Sequence, residues 1–232
     1  MKNKYVFILT IAIVCSLLLS LASEGLKDLR NKNIEIDKKK KILTAIGVDV
    51  DNFTVLDVNK SFIENDIDTL IISLDGDVTD IKLNHINEVE NKQNGEVSYY
   101  YNSKEVLPLY RAKAKNVVII PISGKGLWSS LFGYFAIDAD NFSTVKGITF
   151  YAHGETPGLG AEISKEWFQS TFIGKELYDG NELLSIRVRK GAKEDNLYES
   201  LLFNGNCLST SAVSLNSEIA KKSEGFSVKK EF

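Results

Sequence analysis

Cysteine and histidine are nearly absent, two of each in 232 residues. Cys15 lies in an apolar run and Cys207 far downstream, so they make a poor disulfide pair, and no metal-cluster spacing exists. His85 and His153 are too far apart in sequence to suggest a histidine-rich zinc or iron site. Any redox chemistry would therefore need a borrowed organic cofactor. Excess charge is lacking too: the formal net charge of -3 gives no basic field to hold a polyanion, which argues against nucleic-acid binding. With 44% hydrophobic and 25% charged residues the chain is not disordered in composition. Its length suits one ordinary globular domain plus something extra.

The extra is at the start. Residues 5–22, YVFILTIAIVCSLLLSLA, carry no charge, and about 20 such residues match the hydrocarbon thickness of a bilayer. A cleaved signal peptide is the rival, with Lys2 and Lys4 as its basic region and Ser20-Leu21-Ala22 as a small-residue site. The run, however, exceeds the roughly 7 to 15 apolar residues of a usual signal core, so a transmembrane anchor over residues 1–23 is expected. Lys27, Arg30, Lys32 and the four lysines at 38–41 compete with Lys2 and Lys4 in the charge count that sets orientation. Long domains are translocated largely regardless of charge, and an outside location for the bulk is expected. Residues 24–46 read as a helical stalk that Gly47 stops, which sets a juxtamembrane stalk at 24–47 and a domain at 48–232. The lysine run on it is either a solvated face or a contact with anionic lipid.

The domain reads as α+β. β-branched apolar runs at 69–74 and 117–122 predict strands. Residues 133–137 and 144–151 predict a second pair, joined through the turn formers Asp138-Ala139-Asp140-Asn141. Ile163, Trp167 and Phe168 recur at helical spacing and predict a helix over 161–172, with Trp167 in the core. Residues 183–188 return to strand character, and 209–222 predict a final helix with hydroxyl-rich capping at its start.

The most unusual segment is Tyr151-Ala152-His153-Gly154-Glu155-Thr156-Pro157-Gly158-Leu159-Gly160. Its three glycines and one proline break helix and strand alike. Such a turn lets backbone N–H groups approach an anion or a flat ring closely, although a plain strand-to-helix turn is the simpler account. Upstream, Gly124-Lys125-Gly126-Leu127-Trp128 precedes Gly133-Tyr134; downstream come Trp167, Phe168, Phe172, Gly174 and Lys175. Together these strings resemble the FMN-binding domain of the C subunit of sodium-pumping NADH:quinone oxidoreductases. The G subunit of the Rnf electron-transport complex is similar and is the nearest alternative; a flavin-free scaffold or sensor on a membrane stalk is the alternative from another class.

The resemblance implies a single transmembrane helix followed by a periplasmic FMN-binding domain, an electron carrier within an NADH:ubiquinone reductase that transports sodium. It also implies the other members of a complex of six subunits as partners, above all the FMN-bearing B subunit, and a flavin transferase for maturation. In that family FMN is joined through a phosphodiester to a threonine in an Asp-x-x-Ser-Gly-Ala-Thr motif. Thr210 falls on the acceptor, but Asn204, Cys207, Leu208 and Ser209 replace the aspartate, serine, glycine and alanine. Leu208 adds bulk where glycine would let the transferase approach.

Chemically, Trp128 offers a broad apolar face to an isoalloxazine, the alternative being a core tryptophan. Glu155 and Thr156 can supply hydrogen bonds to ribityl hydroxyls or the ring edge, Leu159 shields the ring, and Gly158 and Gly160 allow close approach. His153 reads as structural rather than catalytic.

Overall fold

The structure is a computed structural model that describes residues 2–179 and 182–183. The chain divides into two units between residues 39 and 40. The first begins with α1, Lys2–Gly25. At 24 residues and about 1.5 Å per residue it is ~36 Å long, and its stretch Asn3–Gly25 is long and apolar enough to cross a membrane. Its hydroxyls turn back onto the helix: Thr10 Oγ1 donates to the Val6 carbonyl and Ser16 Oγ to that of Ile13, both at 2.9 Å, which satisfies them without water. Leu26 passes the hydrogen bonding on, since its N–H donates to Ala22 and its carbonyl accepts from Arg30. The second helix, α2, spans Lys27–Ala45. The ion pair Lys27–Glu24 (3.1 Å) links α2 to the end of α1, and Lys39–Glu35 (2.9 Å) lies along α2.

Past residue 39, α2 changes character, with Ile42, Leu43, Ala45 and Ile46 all buried. Gly47 then ends the helix at φ 74°. Its N–H donates to Thr44 and that of Val48 to Leu43, which closes the last turn's free carbonyls. A short helix, α3 (Val55–Glu64), follows. Its N-terminus is a capping box in which Asp57 N–H donates to Thr54 Oγ1 and Thr54 N–H to the Asp57 carboxylate.

The rest is an antiparallel sheet. Its strands are β1 (Ile67–Ser73), β2 (Val78–Thr79), β3 (Asn87–Asn91), β4 (Glu96–Tyr101), β5 (Lys104–Ala112), β6 (Val117–Lys125), β7 (Ser130–Asp138) and β8 (Val145–Ala152). The main order is β2-β1-β5-β6-β7-β8, with β4 also on β5 and β3 on β4. Register fixes two faces. Tyr110, Ile119, Ala136 and Gly147 lie opposite one another on one face, which receives the last turn of α2: Thr149 Oγ1 donates to the Lys41 carbonyl at 3.0 Å, and Gly147 lies bare against the Ala45 carbonyl. On the other face Ile120, Phe135 and Ile148 align, joined by Ile122, Ile137, Phe150, Phe172 and Leu177 in the main core.

The expected helix at 161–172 is corrected to three pieces: a 3-10 turn at Gly160–Ser164, α4 at Glu166–Gln169, and a 3-10 turn at Ser170–Phe172. Lys165, extended at φ -85° and ψ 145°, interrupts it. Packing Ile163, Phe168 and Phe172 onto the sheet decides the path, because single turns have little cooperative helical stability of their own. Trp167, expected in the core, is instead 60% exposed. Two more short strands pair with each other, β9 (Tyr178–Asp179) and β10 (Glu182–Leu183). Beyond Leu183, the strand expected over 183–188, the helix expected at 209–222 and Thr210 fall outside the described residues.

Candidate functional site

Two loops leave the same end of the sheet. Residues 126–129 join β6 to β7, and residues 153–159 follow β8; β7 lies between them in the register, with Lys125 opposite Ser130 and Phe132 opposite Ala152. Buried Glu155, 9% exposed, reaches from the second loop into the first. Its Oε1 accepts from the backbone N–H of Trp128 at 3.0 Å and of Ser129 at 3.2 Å. In return Gly154 N–H donates to Ser129 Oγ at 2.5 Å. Inside the first loop Gly126 N–H donates to the Ser129 carbonyl at 2.7 Å. Burying a carboxylate is costly unless donors meet it, and here two backbone donors do.

Glycines make this closeness feasible. A Cβ on Gly126 would run into Glu155 Oε1, one on Gly160 would sit 2.8 Å from Oε2, and one on Gly154 would stand 3.1 Å from Ser129. Gly158 serves differently, holding φ 75° with nothing nearby to clash. It stands in a turn closed by Leu159 N–H and Ala161 N–H, both donating to the Thr156 carbonyl. His153 ties the loop down: its Nε2 lies 2.7 Å from Ser164 Oγ, and its Nδ1 accepts from Glu155 N–H at 3.4 Å.

What the loops turn outward is apolar. Trp128 is 69% exposed and Leu159 72%, and Leu127 is exposed beside them. Trp128 is thus no core tryptophan. Thr156 is exposed as well. Within the sheet aromatic rings meet: Tyr151 stacks on Phe132 with centroids 6.2 Å apart and meets Tyr134 at 5.2 Å, and Tyr134 meets Tyr110 edge-on at 5.9 Å. Burial pushes the Tyr99, Tyr134 and Tyr151 phenols well above their ordinary range, so they stay protonated at neutral pH. Ser130 Oγ donates to Glu90 at 2.6 Å, which fastens the β3–β4 hairpin to the start of β7. No group of three metal-binding side chains occurs among the described residues.

Of the residues singled out in the sequence, Trp128 and Glu155 are joined by a hydrogen bond and Gly160 abuts the Glu155 side chain, while Thr156, Gly158 and Leu159 lie on the same loop as Glu155. Glu155 Oε1 is committed to backbone N–H groups, and the bare face of Gly160 is turned to the Glu155 side chain. Sequence reasoning missed Ser129. Its only signal was its place directly after the Gly-Leu-Trp string.

The outward apolar faces on a glycine-rich frame fit a flat heterocycle. Residues 126–224 match the model of the FMN-binding domain, and FMN is the cofactor of that domain. Two crystal structures share the fold: that of Shewanella oneidensis NqrC, with TM-score 0.54 at 23% identity covering 78% of this chain and 91% of that one, and that of the C subunit of the Na(+)-translocating NADH-quinone reductase from Parabacteroides distasonis, 0.56 at 22% covering 87% and 94%. The C subunit of the same reductase from Neisseria meningitidis serogroup B is 30% identical over 223 residues, 90% of this chain and 84% of that protein. That of Vibrio alginolyticus is 31% identical over 200 residues, 79% of this chain and 75% of its own length. On identity of this extent, together with the shared fold and the FMN-binding match, the chain belongs to the NqrC family, the C subunits of Na(+)-translocating NADH-quinone reductases.

Proposed function

We propose that this chain is the FMN-carrying subunit of a sodium-pumping NADH:quinone oxidoreductase, anchored by its N-terminal residues 1–23 and displaying residues 48–232 on the outer side of the cell membrane. It passes electrons singly between neighbouring carriers, and the second flavin subunit, the B subunit, is its partner. Sodium export belongs to the whole complex. The observation that carries this reading is the pair of loops fastened through Glu155, with Trp128 and Leu159 turned outward.

FMN supplies one-electron chemistry when bound. The chain's own residues would hold it: Trp128 and Leu159 would pack against the ring and keep water from it, Thr156 would offer a hydroxyl, and Gly158 would let the backbone come close. Thr210 is the proposed attachment point for the FMN phosphate, installed by a flavin transferase.

Co-expression with a flavin transferase, followed by a denaturing gel viewed under ultraviolet light, tests the attachment. A fluorescent band that vanishes in Thr210→Val is expected. A dark wild-type band would sink covalent attachment, and a band that survives the change would move it to Ser209 or Ser211. Protease protection in oriented vesicles tests the side: digestion of the domain from the outer face is expected, and protection there would reverse the topology.

A further inference from the structure

We propose that Glu155 is a positioning residue, a latch that holds the Trp128 loop in place for the flavin rather than a ligand of the flavin itself. This rests on the flavin reading above but concerns a different atom pair. A direct ligand keeps its oxygens turned to the cofactor. Glu155 is instead buried, and its Oε1 accepts two consecutive backbone N–H groups, those of Trp128 and Ser129.

The protein around it is shaped to admit the carboxylate. Gly126 and Gly160 are both bare where a side chain would strike a Glu155 oxygen. The second stitch, from Gly154 N–H to Ser129 Oγ, runs in the opposite direction across the same gap. Residues 126–129 have no regular hydrogen-bond ladder of their own beyond Gly126 to Ser129, so the angle at which Trp128 leaves the loop depends on this latch. Trp128 is 69% exposed, and packing beneath it does not fix its ring. Two N–H donors on one carboxylate therefore do for Trp128 what a core does for a buried side chain.

The test uses the full chain in detergent, in a Trp167→Phe background that leaves Trp128 as the sole tryptophan. Two quantities are read: the anisotropy and acrylamide quenching of Trp128 without flavin, and the quenching of added FMN fluorescence. Glu155→Ala removes the acceptor and is expected to raise the open-loop population about tenfold, the equivalent of one charge-assisted hydrogen bond. Trp128 anisotropy then falls, and FMN is quenched less. Glu155→Gln keeps a carbonyl oxygen for the same donors and is expected to stay near the parent. Ser129→Ala cuts the other stitch and reads the same quantities with the carboxylate intact, which covers the case of Glu155→Ala failing to fold.

Unchanged Trp128 anisotropy in Glu155→Ala and Ser129→Ala overturns the latch. Loss of FMN with unchanged anisotropy also overturns it, since Glu155 would then be a direct ligand. If the parent binds no FMN while anisotropy still falls in the variants, the flavin reading fails and the latch stands.

Discussion

Trp128→Ala separates binding from folding. In a chain that also carries Thr210→Val, so that every flavin contact is reversible, FMN must be held by the loops alone. Trp128 is 69% exposed, so most of its ring is available to be covered. Covering about 100 Å² of it at about 25 cal/mol per Å² is worth about 2.5 kcal/mol, roughly 70-fold in Kd. The same exposure means that folding gains little from the ring, and the unfolding free energy should change by no more than about 0.5 kcal/mol. Titration of FMN into both chains, followed by flavin fluorescence, gives the first number; urea melts give the second. An unchanged Kd would refute packing of the isoalloxazine on Trp128. A collapse in stability would refute the open placement of the ring.

Ile148, 2% exposed in the main core, gives the opposite pattern: Ile148→Ala should cost about 2–5 kcal/mol in urea melts. A chain that starts at Val48 loses Ile42, Leu43 and Ile46, each buried and each worth about 1.5–3 kcal/mol. It should lack a cooperative melt, whereas one that starts at Lys38 should keep it. Asp138 is held below the ordinary aspartate range by the Lys146 ammonium at 2.8 Å and the Asp140 N–H at 2.8 Å. Its folded carboxyl binds a proton less readily than its unfolded one, so its contribution is complete above the ordinary aspartate value and is lost as pH falls through and below it. Asp138→Asn should therefore be less stable than the parent at neutral pH, with a gap that closes on acidification; a gap that widens below the ordinary aspartate value would contradict the pairing.

Strands at 69–74, 117–122, 133–137 and 144–151 were legible as apolar runs, most of them largely buried in the sheet, although β1 keeps Thr69 exposed. β3 was not, since Asn87–Asn91 is exposed throughout at an edge and shows no alternation. β5 was hidden by Pro108. It lies where β5 has left β4 and not yet joined β6, a local edge on which a missing N–H is tolerated. α3 had a readable start in Thr54 and Asp57, but Val55, Leu56 and Ile63, at helical spacing, are exposed rather than packed. The segment 161–172 misled for the converse reason: its apolar spacing is helical, but the sheet beneath Ile163, Phe168 and Phe172 decides its course.

The contiguous string 151–160 hides a division of labour that only the fold exposes. Glu155 is buried against the Trp128 and Ser129 backbone and Gly160 abuts it, while the N–H of exposed Gly154 donates to Ser129. Thr156, Gly158 and Leu159 are exposed. Residues that read as one cofactor motif therefore do two jobs, and the inward set acts on a loop more than twenty residues earlier in the chain. On the proposed flavin reading neither set works alone: an outward leucine and tryptophan would define a binding face only if their loops keep a fixed spacing. A buried carboxylate that reaches across the gap between the loops is how this chain keeps it.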